Sequence, residues 1–138
     1  MAITVMQRYE LKYLLSEEQT AFLVEKLKGH MEADKYGKTS IASLYYDTPT
    51  YKLIRESSEK PLFKEKIRLR SYGIATDDSP VFLEVKRKAF DVVYKRRVET
   101  TIPAVRKFFG GDDDAFEGGQ VSSEIRAFRD YYNSCRRA

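Results

Sequence analysis

The sequence predicts an α+β fold, an antiparallel β-sheet with helices packed outside it, on three observations. Three successive stretches, Lys64–Tyr72, Val81–Lys88 and Val92–Thr101, alternate in polarity with the two-residue period of a strand. The links between them are turn-forming, GIATDDSP from Gly73 to Pro80 and a reversal around Asp91, and short links join strands antiparallel. Helix-start signals flank this block at Ser16, at Pro103 and at Ser122 or Ser123, followed by apolar residues at helical spacing.

With 138 residues, 33% of them charged and 42% hydrophobic, the chain reads as a single folded domain spanning 1–138. Its 25 basic and 21 acidic residues leave a net charge of only +4, so the placement of charge matters more than its sum. The single cysteine, Cys135, excludes an internal disulfide framework and a thiolate metal site, and fits a reducing compartment. No apolar run reaches the ~20 residues of a membrane span, and MAITVMQRYE lacks a signal-peptide layout. A cytoplasmic location is expected, with a membrane segment or another domain left open for a longer parent.

Taken in order, Val5 to Leu15 alternates and is read as a strand, with Arg8, Glu10 and Lys12 on one face. An acid two residues from a lysine suits a metal-bound triphosphate, and equally describes a surface ion pair. Ser16 then caps a helix running to about Lys28, with Gln19 completing a capping box and Phe22, Leu23 and Leu27 in one stripe. His30, the sole histidine, sits at that helix end, where a cation is ordinary. Thr39–Asp47 is the second strand, and Asp47-Thr48-Pro49 starts a short helix over Thr50–Ser58 that carries Arg55.

The stretch KEKIRLRSY organises the rest. As a strand it sets Lys64, Lys66, Arg68 and Arg70 in one row at roughly 7 Å intervals, opposite Glu65, Ile67 and Leu69. Four like charges in a row call for a polyanion along them, and a linear phosphate chain is the natural complement; a solvated sheet face is the alternative. The next two strands repeat the pattern, with Phe82, Glu84, Lys86 and Lys88 on one face and Lys95, Arg97 and Glu99 together, although register stays open. Ala104–Phe109 forms a helix behind Pro103. The loop from Gly110 to Gly119 carries Asp112, Asp113 and Asp114 without the spacing of a calcium loop, and is expected to be flexible and solvated. The last helix presents Ile125, Phe128, Tyr131 and Tyr132.

RYELKY, SLYYDTPTY, KEKIRLRSYG, FLEVKRK and YKRRV, in that order, resemble the N-terminal half of the VTC (vacuolar transporter chaperone) domain, of the triphosphate tunnel metalloenzyme superfamily. The resemblance runs from about Gln7 to the final helix. It implies that the sheet forms part of a triphosphate-tunnel-type barrel, in which the γ-phosphate of ATP is added to inorganic polyphosphate with Mn2+ or Mg2+. Carried over by motif, it implies catalytic roles for Lys12, Arg68, Arg70 and Lys86, and phosphate contacts from Lys64, Lys66, Lys95, Arg97 and Arg55. Glu10 matches an acidic, metal-binding position, while Arg8 stands where a first acid would be.

The family's domain is longer, and its later strands have no counterpart after Tyr132. The resemblance therefore implies an incomplete site with little polymerase activity in this chain alone, or a homo-oligomer whose copies pair edge to edge. Other readings are a non-catalytic polyphosphate or phosphometabolite sensor, a triphosphate hydrolase, and RNA binding by stacking on Tyr45, Tyr46, Tyr72 and Tyr94. No nucleic-acid partner is expected, because most of these aromatics fall at core positions of the alternation.

Overall fold

The computed structural model describes residues 5–8, 11–116, 118–132 and 136–137, the first and last of these as backbone. Glu10 and Cys135 lie outside the described residues. The structure falls into two compact units, Met1–Tyr9 with Ser40–Ala138, and Glu10–Thr39.

In the larger unit, β1 (Val5–Arg8), β2 (Ile41–Asp47), β3 (Phe63–Tyr72), β4 (Val81–Ala89), β5 (Val92–Thr100) and β6 (Arg136–Arg137) form one sheet. Its order is β1-β5-β4-β3-β2-β6 and every pairing is antiparallel. The four longer strands fill the middle, and the short β1 and β6 stand at opposite edges. Among the described residues the sheet is therefore open, an α+β architecture without barrel closure.

One face of this sheet carries the hydrophobic core. Ile67, Val81, Leu83 and Val85 are buried there with Val105 and Phe108 of α3 (Ile102–Phe109) and Ile125 and Phe128 of α4 (Gln120–Tyr131). Each such side chain contributes roughly 1.5–3 kcal/mol by leaving water, so this contact is what holds the helices to the sheet. Arg129 reinforces it, donating from Nη1 to the Phe108 carbonyl at the end of α3 (2.8 Å) and from Nη2 to Asp113 (2.5 Å). The acidic loop expected to be loose is tied down at Asp113 by this contact, because a cation at a helix C-terminus also needs a counter-ion.

Asp47 positions α2 (Lys52–Ser58). Its carboxylate, 2% exposed, accepts from the backbone N–H groups of Thr48, Leu53 and Ile54 at 2.7, 2.9 and 3.0 Å. The helix therefore begins two residues later than the sequence suggests, with Tyr51 in a left-handed conformation (φ 55°) at its cap. At α4 the cap is Gly119 and not a serine: Ser122 is buried one turn inside and Ser123 donates its N–H to the Gly119 carbonyl.

The first strand is shorter than its alternation implies. β1 pairs with β5 among the described residues, ending at Arg8 opposite Val93. Residues 11–15 carry no strand, and Lys12 belongs to the smaller unit. That unit contains α1 (Glu17–Leu27), where Ser16 Oγ accepts from Gln19 N–H and Gln19 Oε1 accepts from Ser16 N–H, the capping box read from sequence.

Candidate phosphate-binding face

The sheet's other face is basic. Alternation puts Lys64, Lys66, Arg68 and Arg70 of β3 on it, and register brings the matching residues of β4 and β5 alongside in rungs. Lys64 faces Lys88; Lys66, Lys86 and Lys95 lie side by side; Arg68, Glu84 and Arg97 form the next rung, with Tyr45 of β2 beside Arg68; Arg70, Phe82 and Glu99 follow. On these three strands eight cations share the face with two carboxylates. All eight are half-buried rather than splayed into water.

Glu84 lies at the centre, with its side chain 1% exposed. Arg68 Nε donates to Oε2 at 2.6 Å, while Arg97 donates to Oε1 from Nε at 2.8 Å and from Nη2 at 2.5 Å. Lys95 Nζ is 3.2 Å from Oε1, and Arg70 Nε is 4.0 Å from Oε2. Burial alone would raise the Glu84 carboxyl, but hydrogen bonds from Arg68 and Arg97 and the charges of Arg68 and Lys95 bring it down to about 2. The carboxylate stays ionised at neutral pH, and a surplus of positive charge remains around it.

Two phenols complete the cluster. Arg68 Nη1 donates to Tyr45 Oη at 3.4 Å and Arg97 Nη2 to Tyr72 Oη at 3.1 Å. Burial raises both phenols, yet the hydrogen bonds and charges of these arginines, with Arg70 nearby, outweigh it and lower them. The Arg97 guanidinium also lies over the Phe82 ring at 4.5 Å, which fixes its plane.

Three lysines opposite one another repel, but Lys95 lies 3.2 Å from Glu84 Oε1 and Lys66 lies over the Tyr45 ring at 6.0 Å. Arg70 Nε is buried without a hydrogen-bond acceptor, 4.0 Å from Glu84 Oε2. Beside Lys66 opens a cleft of about 210 Å3 lined by Tyr45, Tyr46, Asp47, Leu53 and Ile54.

The model of the VTC domain matches residues 7–137, nearly the whole chain. The chain belongs to the VTC domain family. No curated protein matches it. Family membership is consistent with polyphosphate-related function.

The structure brings together most of the residues that the motifs single out. Arg68, Arg70, Lys95 and Arg97 surround Glu84, Lys66 and Lys86 lie one rung away, and Lys64 lies one rung further. Arg55 is exposed on α2, outside the strand rows. Lys12 sits off any strand in the other unit, and Glu10 is not among the described residues.

Sequence reasoning placed Glu84 and Lys88 on one strand face without giving them a site role, and named Tyr45 and Tyr72 only as stacking residues for RNA. A signal for Glu84 was present: it is the one acid between Phe82 and Lys86 in the alternation of β4, but its partners on β3 and β5 follow only from register.

Among the described residues no three His, Cys, Asp or Glu side chains cluster to hold a metal ion. Both Glu84 oxygens already receive cations, and in the loop Asp112 Oδ1 accepts from Asp114 N–H while Asp113 is bound to Arg129. These acids do not fit a divalent metal site.

Proposed function

We propose that the basic face of this VTC domain holds the triphosphate of ATP and a linear inorganic polyphosphate chain, and that the domain moves the γ-phosphate of ATP onto the chain. The observation that carries this reading is the Lys66–Lys86–Lys95 rung laid beside the Arg68–Glu84–Arg97 rung. Strands set such rungs roughly 7 Å apart on one face, close to the span of two linked phosphates. Arginine offers a planar fork to phosphate oxygens and lysine a mobile charge, so the mixture suits a chain that must be held and then shifted.

In the transfer, a terminal oxygen of the chain attacks the γ-phosphorus, the bond to the β–γ bridging oxygen breaks, and ADP leaves. Such transfer depends mainly on positioning and on neutralising charge, and needs no covalent nucleophile. Arg68, Arg70, Lys86 and Lys95 would supply the charge, and Lys64, Lys66 and Arg97 would extend the track. Mn2+ or Mg2+ belongs to the expectation drawn from resemblance; since the described acids do not fit either ion, no step above runs through one.

A second reading, supported by the hold of Arg68 and Arg97 on both Glu84 oxygens, is a non-catalytic sensor that binds phosphate chains. Incubation with ATP, short-chain polyphosphate and Mn2+ separates the two. Lengthened polyphosphate with release of ADP supports transfer. Triphosphate binding that ignores chelators, with ATP unconsumed, supports the sensor, and release of orthophosphate alone supports a hydrolase. RNA is disfavoured by geometry: Tyr45 and Tyr72 lie on the basic face, but Tyr46 stacks on Phe109 at 4.0 Å and Tyr94 pairs with Arg87 on the opposite face, so no aromatic track forms.

A further inference from the structure

Glu84 has a place that no motif assigns to it. It is the most deeply buried ionised group on the sheet, it lies beneath the cations and not among them, and it touches four of them through two oxygens. Arg68, Lys95 and Arg97 keep about a fifth of their side-chain surface exposed above it. A ligand arriving on this face therefore meets the cations first and the carboxylate only through them.

Resting on the phosphate-chain reading above, we infer that Glu84 is a positioning residue that acts as a built-in counter-ion: it orients Arg68 and Arg97 by their Nε edges and holds down the affinity of the face for phosphate chains. The first half follows from geometry. Arg68 meets Glu84 through Nε, which turns its terminal nitrogens outward, and one of them reaches Tyr45. Arg97 is fixed from three sides, by Glu84, Tyr72 and the Phe82 ring.

The second half follows from charge. A phosphate seated on the cations lies within several ångströms of a carboxylate that cannot leave and does not take up a proton at neutral pH. Its repulsion opposes every phosphate along the rung, and in a partly screened site this weakens binding by about tenfold. A chain that must move along the face between additions needs such a limit, because a fully uncompensated wall would hold its polyanion too tightly to release it.

A residue present only for stability would give the opposite sign on removal. Glu84→Gln takes away the charge and keeps an acceptor of the same shape. Titration calorimetry with inorganic tripolyphosphate at neutral pH, alongside thermal melts, is the test. The variant is expected to melt lower than the wild type and yet bind tripolyphosphate about tenfold tighter. Equal or weaker binding by folded Glu84→Gln overturns the inference and leaves the phosphate-chain reading standing. A wild-type protein that does not bind tripolyphosphate overturns both.

Should Glu84→Gln not fold, the same quantity is read in a second background. Lys95→Gln removes one cation and weakens binding, and the double variant Glu84→Gln/Lys95→Gln restores the original charge balance. The double variant is expected to regain the affinity lost in Lys95→Gln. No gain, or a further loss, contradicts the counter-ion role.

Discussion

Glu84 shows at the scale of one residue how burial and charge combine. Its carboxyl, near 4.5 in an unstructured chain, falls to about 2 in the fold, so folding favours the ionised form. Stability from this group is fully present above pH 4.5 and is lost as pH falls through 4.5 towards 2. A shift of this size is worth on the order of 3 kcal/mol. Glu84→Gln should therefore melt well below the wild type at pH 7, with the gap closing in melts taken towards pH 2. Identity and face of this residue were legible in the alternation of β4, along with Lys86. Its role was not, because a carboxylate bridging β3 and β5 is a property of register, and register is set by tertiary packing that a single strand does not encode.

At the scale of the elements, local signals were read well where the chain supplies its own partners. The capping box at Ser16 and Gln19 needs only four residues, and the structure contains it. Thr101 accepts from Ala104 N–H at the cap of α3, which Pro103 signalled, although the helix starts at Ile102, two residues before the Ala104 start read from sequence. The errors arose where a partner lies elsewhere. Alternation continues past Arg8, yet residues 11–15 carry no strand, and so Lys12 is not on one.

Asp47 is the clearest test of a single element. Its carboxylate accepts three backbone N–H groups at the start of α2, and truncation leaves them buried without acceptors. Asp47→Ala should lose about 2 kcal/mol or more in urea denaturation, and Asp47→Asn less, since one amide oxygen still accepts. Far-UV circular dichroism would show the helical signal reduced before the global transition.

At the scale of the whole molecule, the sheet of the larger unit has one face that holds α3 and α4 and another that is basic. The two-residue period gathers eight cations of β3, β4 and β5 on one face and most of the apolar strand residues on the other, where Arg87 and Arg96 pair with Glu65 and Glu124. Binding of a phosphate chain to the partly exposed cations of this face should be strongly salt-dependent. A plot of log affinity for polyphosphate against log salt should be steep. Replacing Lys66, Lys86 and Lys95 singly with Gln should each flatten the slope by roughly one phosphate contact. Lys12→Gln, outside the rungs, tests how far the basic face acts without the smaller unit: an unchanged slope places all the measured contacts on β3, β4 and β5.

The most direct measurement is a crystal structure with inorganic tripolyphosphate bound. Phosphate oxygens are expected within hydrogen-bond distance of Lys66, Lys86 and Lys95 and of Arg70 Nε, with Glu84 beneath them still bridging Arg68 and Arg97. Tripolyphosphate seated instead among Arg87, Arg96 and Glu124 on the helix side, or absent from the basic rungs at saturating concentration, would contradict the account.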